Sequence, residues 1–130
     1  MAKRVLDTSI LIAHWQRCAA GPLHSQTTRD AERWAEQLIE LHDTDAIVTP
    51  VYLEFVAGQT EPAQQPLTKA YLGKFRILDE GQILPGDWQE ALRLARRIPE
   101  HGAPRRLSTC LVKALGRRLS FAVLVLDPSD

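Results

Sequence analysis

A chain of 130 residues, 45% apolar and 25% charged, suits a single folded domain and is too apolar for a disordered tail. Sixteen acids against sixteen bases leave no net charge, which excludes a protein that meets nucleic acid by bulk charge alone. Two cysteines without a C-x-x-C pair, no apolar leader after M-A-K-R-V and no apolar run of about 18 residues argue against zinc, secretion and a membrane span, so a reduced, cytoplasmic protein is expected.

The first element is a short strand over 4–7 (R-V-L-D). A helix follows over 9–19, with Leu11, Trp15 and Cys18 at helical spacing and Gly21-Pro22 as its stop. Thr27 or Thr28 caps a second helix, with Asp30 three residues after Thr27; its inward stripe reads Ala31, Trp34, Leu38 and Leu41. Residues 46–49 (A-I-V-T) read as a buried strand, and Thr49-Pro50 as a cap with proline at the first helical position. A short helix over 51–57 stops at Gly58. The Gln- and Pro-rich stretch 59–66 reads as a mobile loop, with a modest helix over 66–72 and a third strand over 75–78 after it.

Asp87 is the expected cap of a long helix over 88–100, with Ala91, Leu94, Ala95 and Ile98 inward and Gly102 beyond its end. The helix over 106–119 is interrupted by Gly116, since an interior glycine costs about 1 kcal/mol against alanine. The apolar run 121–126, ending at Asp127, is the clearest strand. There is no repeat and no linker. Strands alternating with helices imply an α/β domain, residues 1–130 as one unit, with a mostly parallel sheet and helices on both faces.

Ligands of such sheets bind beyond the C-terminal ends of the strands. Asp7 ends the first strand, Asp127 ends the last, and Glu54 sits one turn into the helix after the second. Three converging carboxylates repel unless a cation neutralises them, and hard oxygen ligands favour Mg²⁺ or Mn²⁺. Such a site suits metal-assisted phosphodiester hydrolysis. Asp7 as a plain helix cap and Glu54 as an ordinary exposed acid are the competing readings.

The charges are unevenly spread. Acids crowd residues 27–62, whereas residues 101–126 carry Arg105, Arg106, Lys113, Arg117 and Arg118 and no acid. That basic stretch reads either as a phosphate-binding face or as a solvated helix face. His14 would reach the strand-end site from the first helix or fill the core. Trp15, Trp34 and Trp88 read as core or dimer contacts. The P-loop and dinucleotide glycine motifs are absent, and Ser9 stands where a haloacid-dehalogenase-type phosphatase needs its second acid.

V-L-D-T-S-I-L-I (5–12), T-P-V-Y-L-E-F (49–55), L-S-T-C-L-V-K-A-L (107–115) and F-A-V-L-V-L-D-P-S-D (121–130) resemble, in order, the motifs of PIN-domain ribonucleases, and most nearly those of VapC-like toxins of toxin–antitoxin pairs. The resemblance implies a three-layer α/β/α PIN-like fold and a Mg²⁺- or Mn²⁺-dependent endoribonuclease, often dimeric and held in check by a small antitoxin protein. It assigns Asp7, Glu54 and Asp127 to catalysis and the metal, with Asp130 as a further metal acid. Thr8 and Ser9 match the hydroxyls that orient the first aspartate. Thr109 departs from the pattern, because the family places its third acid there, and a hydroxyl brings no charge to the metal. This motivates the alternative of a catalytically inactive PIN-like module that binds RNA or protein.

Overall fold

The computed structural model describes residues 3–21, 25–59, 61–97 and 107–126. Ile98, Gly102, Arg105, Arg106, Asp127 and Asp130, which figure in the sequence reading, lie outside the described residues.

The chain is mixed α/β with short parallel strands in two pairs. Strand β1 (Arg4–Leu6) is followed by α1 (Thr8–Cys18), α2 (Thr28–His42), β2 (Ala46–Ile47) and α3 (Thr49–Ala57). A 3₁₀ turn (Pro62–Gln64) leads into α4 (Gln65–Leu72), then β3 (Arg76–Ile77), α5 (Pro85–Ala95), α6 (Leu107–Leu119) and β4 (Ala122–Leu124). β1 pairs with β4 in parallel, with Leu6 opposite Leu124, and β2 pairs with β3 in parallel, with Ile47 opposite Ile77. Thr44 links the pairs: its hydroxyl donates to the Arg4 carbonyl at 2.7 Å and accepts the Ala46 N–H at 3.2 Å.

The core forms where the apolar faces of the helices meet the strands. Val5, Leu6, Ile47 and Val48 are fully buried. Trp15 stands edge-on to Trp34, Phe55 and Tyr71, the last at 5.1 Å between ring centres. Edge-to-face pairs contribute about 1 kcal/mol each beyond the area they bury. One contiguous aromatic cluster thus joins α1, α2, α3 and α4.

Several expected elements shift for identifiable reasons. β1 stops at Leu6 because Asp7 becomes the N-cap of α1. Thr27 caps α2 as expected, in a reciprocal box with Asp30. On α2 the buried stripe is Ala31, Ala35 and Leu38, while Leu41 is 71% exposed near the left-handed cap Asp43. Thr49 is the first helical residue of α3 rather than its cap. The stretch 59–66 is partly helical among its described residues, running through the 3₁₀ turn into α4.

α5 begins at Pro85, so Asp87 is its third residue, not its cap. From there its carboxylate accepts the Leu84 N–H at 2.8 Å. The helix ends at Ala95. α6 runs through Gly116 without a break. A Cβ at position 116 would stand 2.9 Å from the Phe121 carbonyl oxygen and 3.1 Å from Val123 Cγ2. The glycine is there to let the returning chain of β4 pass over the helix. Trp88 is 53% exposed and does not belong to the core.

Candidate metal and phosphodiester site

Asp7 is placed by backbone bonds on two sides. Its N–H donates to the Leu124 carbonyl at 2.9 Å, extending the β1–β4 ladder, and its carbonyl accepts from Ile10 as α1 begins. The carboxylate is 5% exposed. Its Oδ2 accepts the Ser9 hydroxyl at 2.9 Å and, more distantly, the Ser9 N–H at 3.4 Å. Oδ1 takes neither of these bonds. Among the described residues no cationic side chain pairs with Asp7. A buried carboxylate without a countercharge is costly, and a cap role alone does not require such burial. Asp7 therefore caps α1 from a position more buried than capping requires.

Ser9 does more than orient Asp7. Its Oγ also accepts the Leu126 N–H at 3.2 Å, so one hydroxyl ties the carboxylate to the chain leaving β4. The next residue in sequence is Asp127. Thr8 is 2% exposed, and its Oγ1 is buried without a hydrogen-bond partner among the described residues. A buried hydroxyl without a partner is polar capacity that a ligand would fill.

Glu54 lies in the second turn of α3, half-buried, and its helix packs against both α1 and α6. Thr109 lies in the first turn of α6 and is half-buried. α3, which bears Glu54, thus packs on one side against α1, which Asp7 opens, and on another against α6, which bears Thr109. Among the described residues no three His, Cys, Asp or Glu side chains gather as a metal-holding group; Asp127 and Asp130 are outside that set.

The basic face divides. Lys113 is half-exposed one turn after Thr109. Arg117 reaches across to Glu90 of α5 at 3.1 Å. Arg118 grips the buried Asp87 at 2.8 Å and donates to the Gln82 carbonyl. Arg118 therefore fastens α6 to α5, while Arg117, with 72% of its side chain exposed, stays open to solvent despite its pair.

His14 is buried and committed to the core. Its Nδ1 is 2.7 Å from Tyr71 Oη, and its Nε2 is 3.5 Å from Cys18 Sγ. Burial holds the imidazole below its ordinary pKa, with the charges of Arg17 and His42 adding to the effect. Burial likewise pushes the Tyr71 phenol far up and raises the Cys18 thiol against the pull of Arg17. These groups stay neutral near pH 7. Neither cysteine is bridged.

Two carboxylates escaped the sequence reading in these roles. Asp87, taken for a cap, is an ion-pair anchor. Asp79 is 5% exposed and accepts the Thr49 N–H at the start of α3. Its signal was the acid directly after the third strand in L-D-E-G, the position that Asp7 holds after the first.

No family model matches this sequence, and no curated protein matches it at a significant level.

Proposed function

We propose that the chain is a metal-dependent endoribonuclease of the PIN-domain, VapC-like kind: a cytoplasmic hydrolase of RNA phosphodiesters on a three-layer α/β/α scaffold. The observation that carries the reading is the Asp7 carboxylate, buried where the β1–β4 pair gives way to α1, with one oxygen held by Ser9 and no countercharge among the described residues. The donor set fits Mg²⁺ or Mn²⁺, being made of hard oxygens. Asp7 Oδ1, Glu54 and Asp127 are the ligands, with Asp130 as a further one. When bound, the ion polarises the phosphodiester and acidifies a water nucleophile.

The chain's own groups do the rest. Ser9 holds the Asp7 carboxylate in one orientation. Thr8 Oγ1 offers a hydrogen bond to a phosphate oxygen or an ordered water. Lys113 and Arg117, with Arg105 and Arg106, supply positive charge for the RNA backbone. A small antitoxin and a second copy of the chain are the protein partners of this reading. The exposed apolar ridge of Leu84, at the cap of α5, with Trp88 and Leu92 on the helix, spaced four apart, supports self-association.

Thr109 favours a second reading, a PIN-like module that binds RNA or protein without cutting. Cleavage of a mixed single-stranded RNA pool with Mn²⁺ separates the two. The protein, its Thr109→Asp variant and an Asp7→Asn control are compared. Cutting by the protein but not by the control supports the nuclease. Cutting by Thr109→Asp alone shows a scaffold silenced at position 109. No cutting by either removes the enzyme reading.

A further inference from the structure

We infer that Asp79 is a positioning residue for Glu54, acting through the N-terminus of α3; the inference rests on the metal-site reading of Glu54. α3 starts without help from its own flanking residue, since Val48, at the cap position, is apolar and offers no side-chain bond. The first N–H of the helix, that of Thr49, instead donates to Asp79 Oδ1 at 2.8 Å, from thirty positions along the chain. A second bolt runs the other way: the Gly81 N–H donates to Thr49 Oγ1 at 3.0 Å. Glu80 and Gly81 adopt left-handed backbone, with φ of 50° and 79°, and this turn carries Gly81 over Thr49. The Leu78 N–H, bonded to the Ile47 carbonyl at 2.9 Å, ties β3 to β2 just before the latch.

The latch matters to Glu54 because of helix periodicity. Residues 53 and 54 donate their N–H groups back to Thr49 and Pro50, so their backbone is only as fixed as the first turn. Phe55, fully buried against Trp15 and Tyr71, anchors the helix behind them. Phe55 fixes the depth of α3, and the Asp79 latch fixes its beginning. A carboxylate at a helix N-terminus also meets the favourable end of the helix dipole. Burial of Asp79 at 5% exposure, with Oδ2 lacking a partner among the described residues, is a cost that the fold retains at this turn.

Calorimetric titration of the full chain with Mn²⁺ alone tests this, with amide hydrogen exchange of α3 measured alongside. Asp79→Leu removes the latch and is expected to weaken Mn²⁺ about tenfold or more, as loss of a ligand's support does, while exchange in the first turn of α3 speeds up. Thr49→Val removes only the second bolt and shifts affinity in the same direction by less. Asp79→Asn keeps the acceptor for Thr49 but buries an amide where Oδ2 has no partner, so thermal stability falls while Mn²⁺ affinity stays within about twofold of the parent. A folded Asp79→Leu with parental affinity overturns the positioning role and leaves the metal site standing. Should Asp79→Leu fail to fold, unchanged affinity in Thr49→Val overturns it. No binding by the parent at millimolar Mn²⁺ removes the metal site and this inference with it.

Discussion

Gly116→Ala adds one methyl group at the closest approach found among the described glycines. On helix propensity alone the change stabilises α6 by about 1 kcal/mol. The surroundings oppose it. The new Cβ would stand 2.9 Å from the Phe121 carbonyl oxygen, closer than real Cβ contacts occur, and 3.1 Å from Val123 Cγ2. Neither neighbour retreats freely. The Phe121 N–H is bonded to the Gly116 carbonyl at 2.7 Å, and Val123 is registered against Val5 in the β1–β4 pair. Overpacking of this kind costs about 1–3 kcal/mol, and separating the strand from the helix loses a hydrogen bond of about 1 kcal/mol. With propensity subtracted, a net loss of about 1–3 kcal/mol is expected. Gly86 is the control, because a Cβ there meets nothing within 4 Å. Gly86→Ala should be neutral or stabilise by about 0.5 kcal/mol. Urea denaturation at unchanged slope reads both variants. A Gly116→Ala protein as stable as the parent, or shifts of the same sign at both positions, refutes the close-approach account.

Three further outcomes are expected. Asp87→Ala strips the Arg118 guanidinium of its buried partner and the start of α5 of its acceptor, for a loss of about 3 kcal/mol by urea denaturation; a loss under about 1 kcal/mol means that the pair is dispensable. His14 titrates below its ordinary value of 6.5 in the folded chain, so the unfolded chain takes the proton first. The stability it lends is complete above pH 6.5 and is lost as pH falls toward the folded pKa. His42 is lowered in the same direction by burial and Arg4, so the slope of stability against pH is compared between the parent and His14→Gln, and equal slopes contradict the assignment. Trp88→Glu, on an exposed face of α5, should leave stability within about 0.5 kcal/mol; on the self-association proposed above, the parent sediments as a dimer and the variant as a monomer, and a monomeric parent or a dimeric variant contradicts that contact.

The sequence by itself determined what local chemistry determines. The capping box of Thr27 and Asp30, the proline-led start of α3 and the short apolar strands are short-range patterns. Each appears at or within a few residues of its expected place. Asp7 at the junction of β1 and α1 was legible for the same reason. Tertiary structure decided the rest, because those contacts join residues far apart in the chain. Gly116 looks like a helix breaker until β4 is seen crossing it. Asp87 looks like a cap until Arg118, on another helix, fills its other side. Leu41 and Trp88 fit helical stripes, yet exposure depends on which helix packs against which, and periodicity does not carry that information. Asp79 is the clearest instance. Its place after the third expected strand marks it as a strand-end acid, but its partner Thr49 is brought to it only by the parallel pairing of β2 with β3.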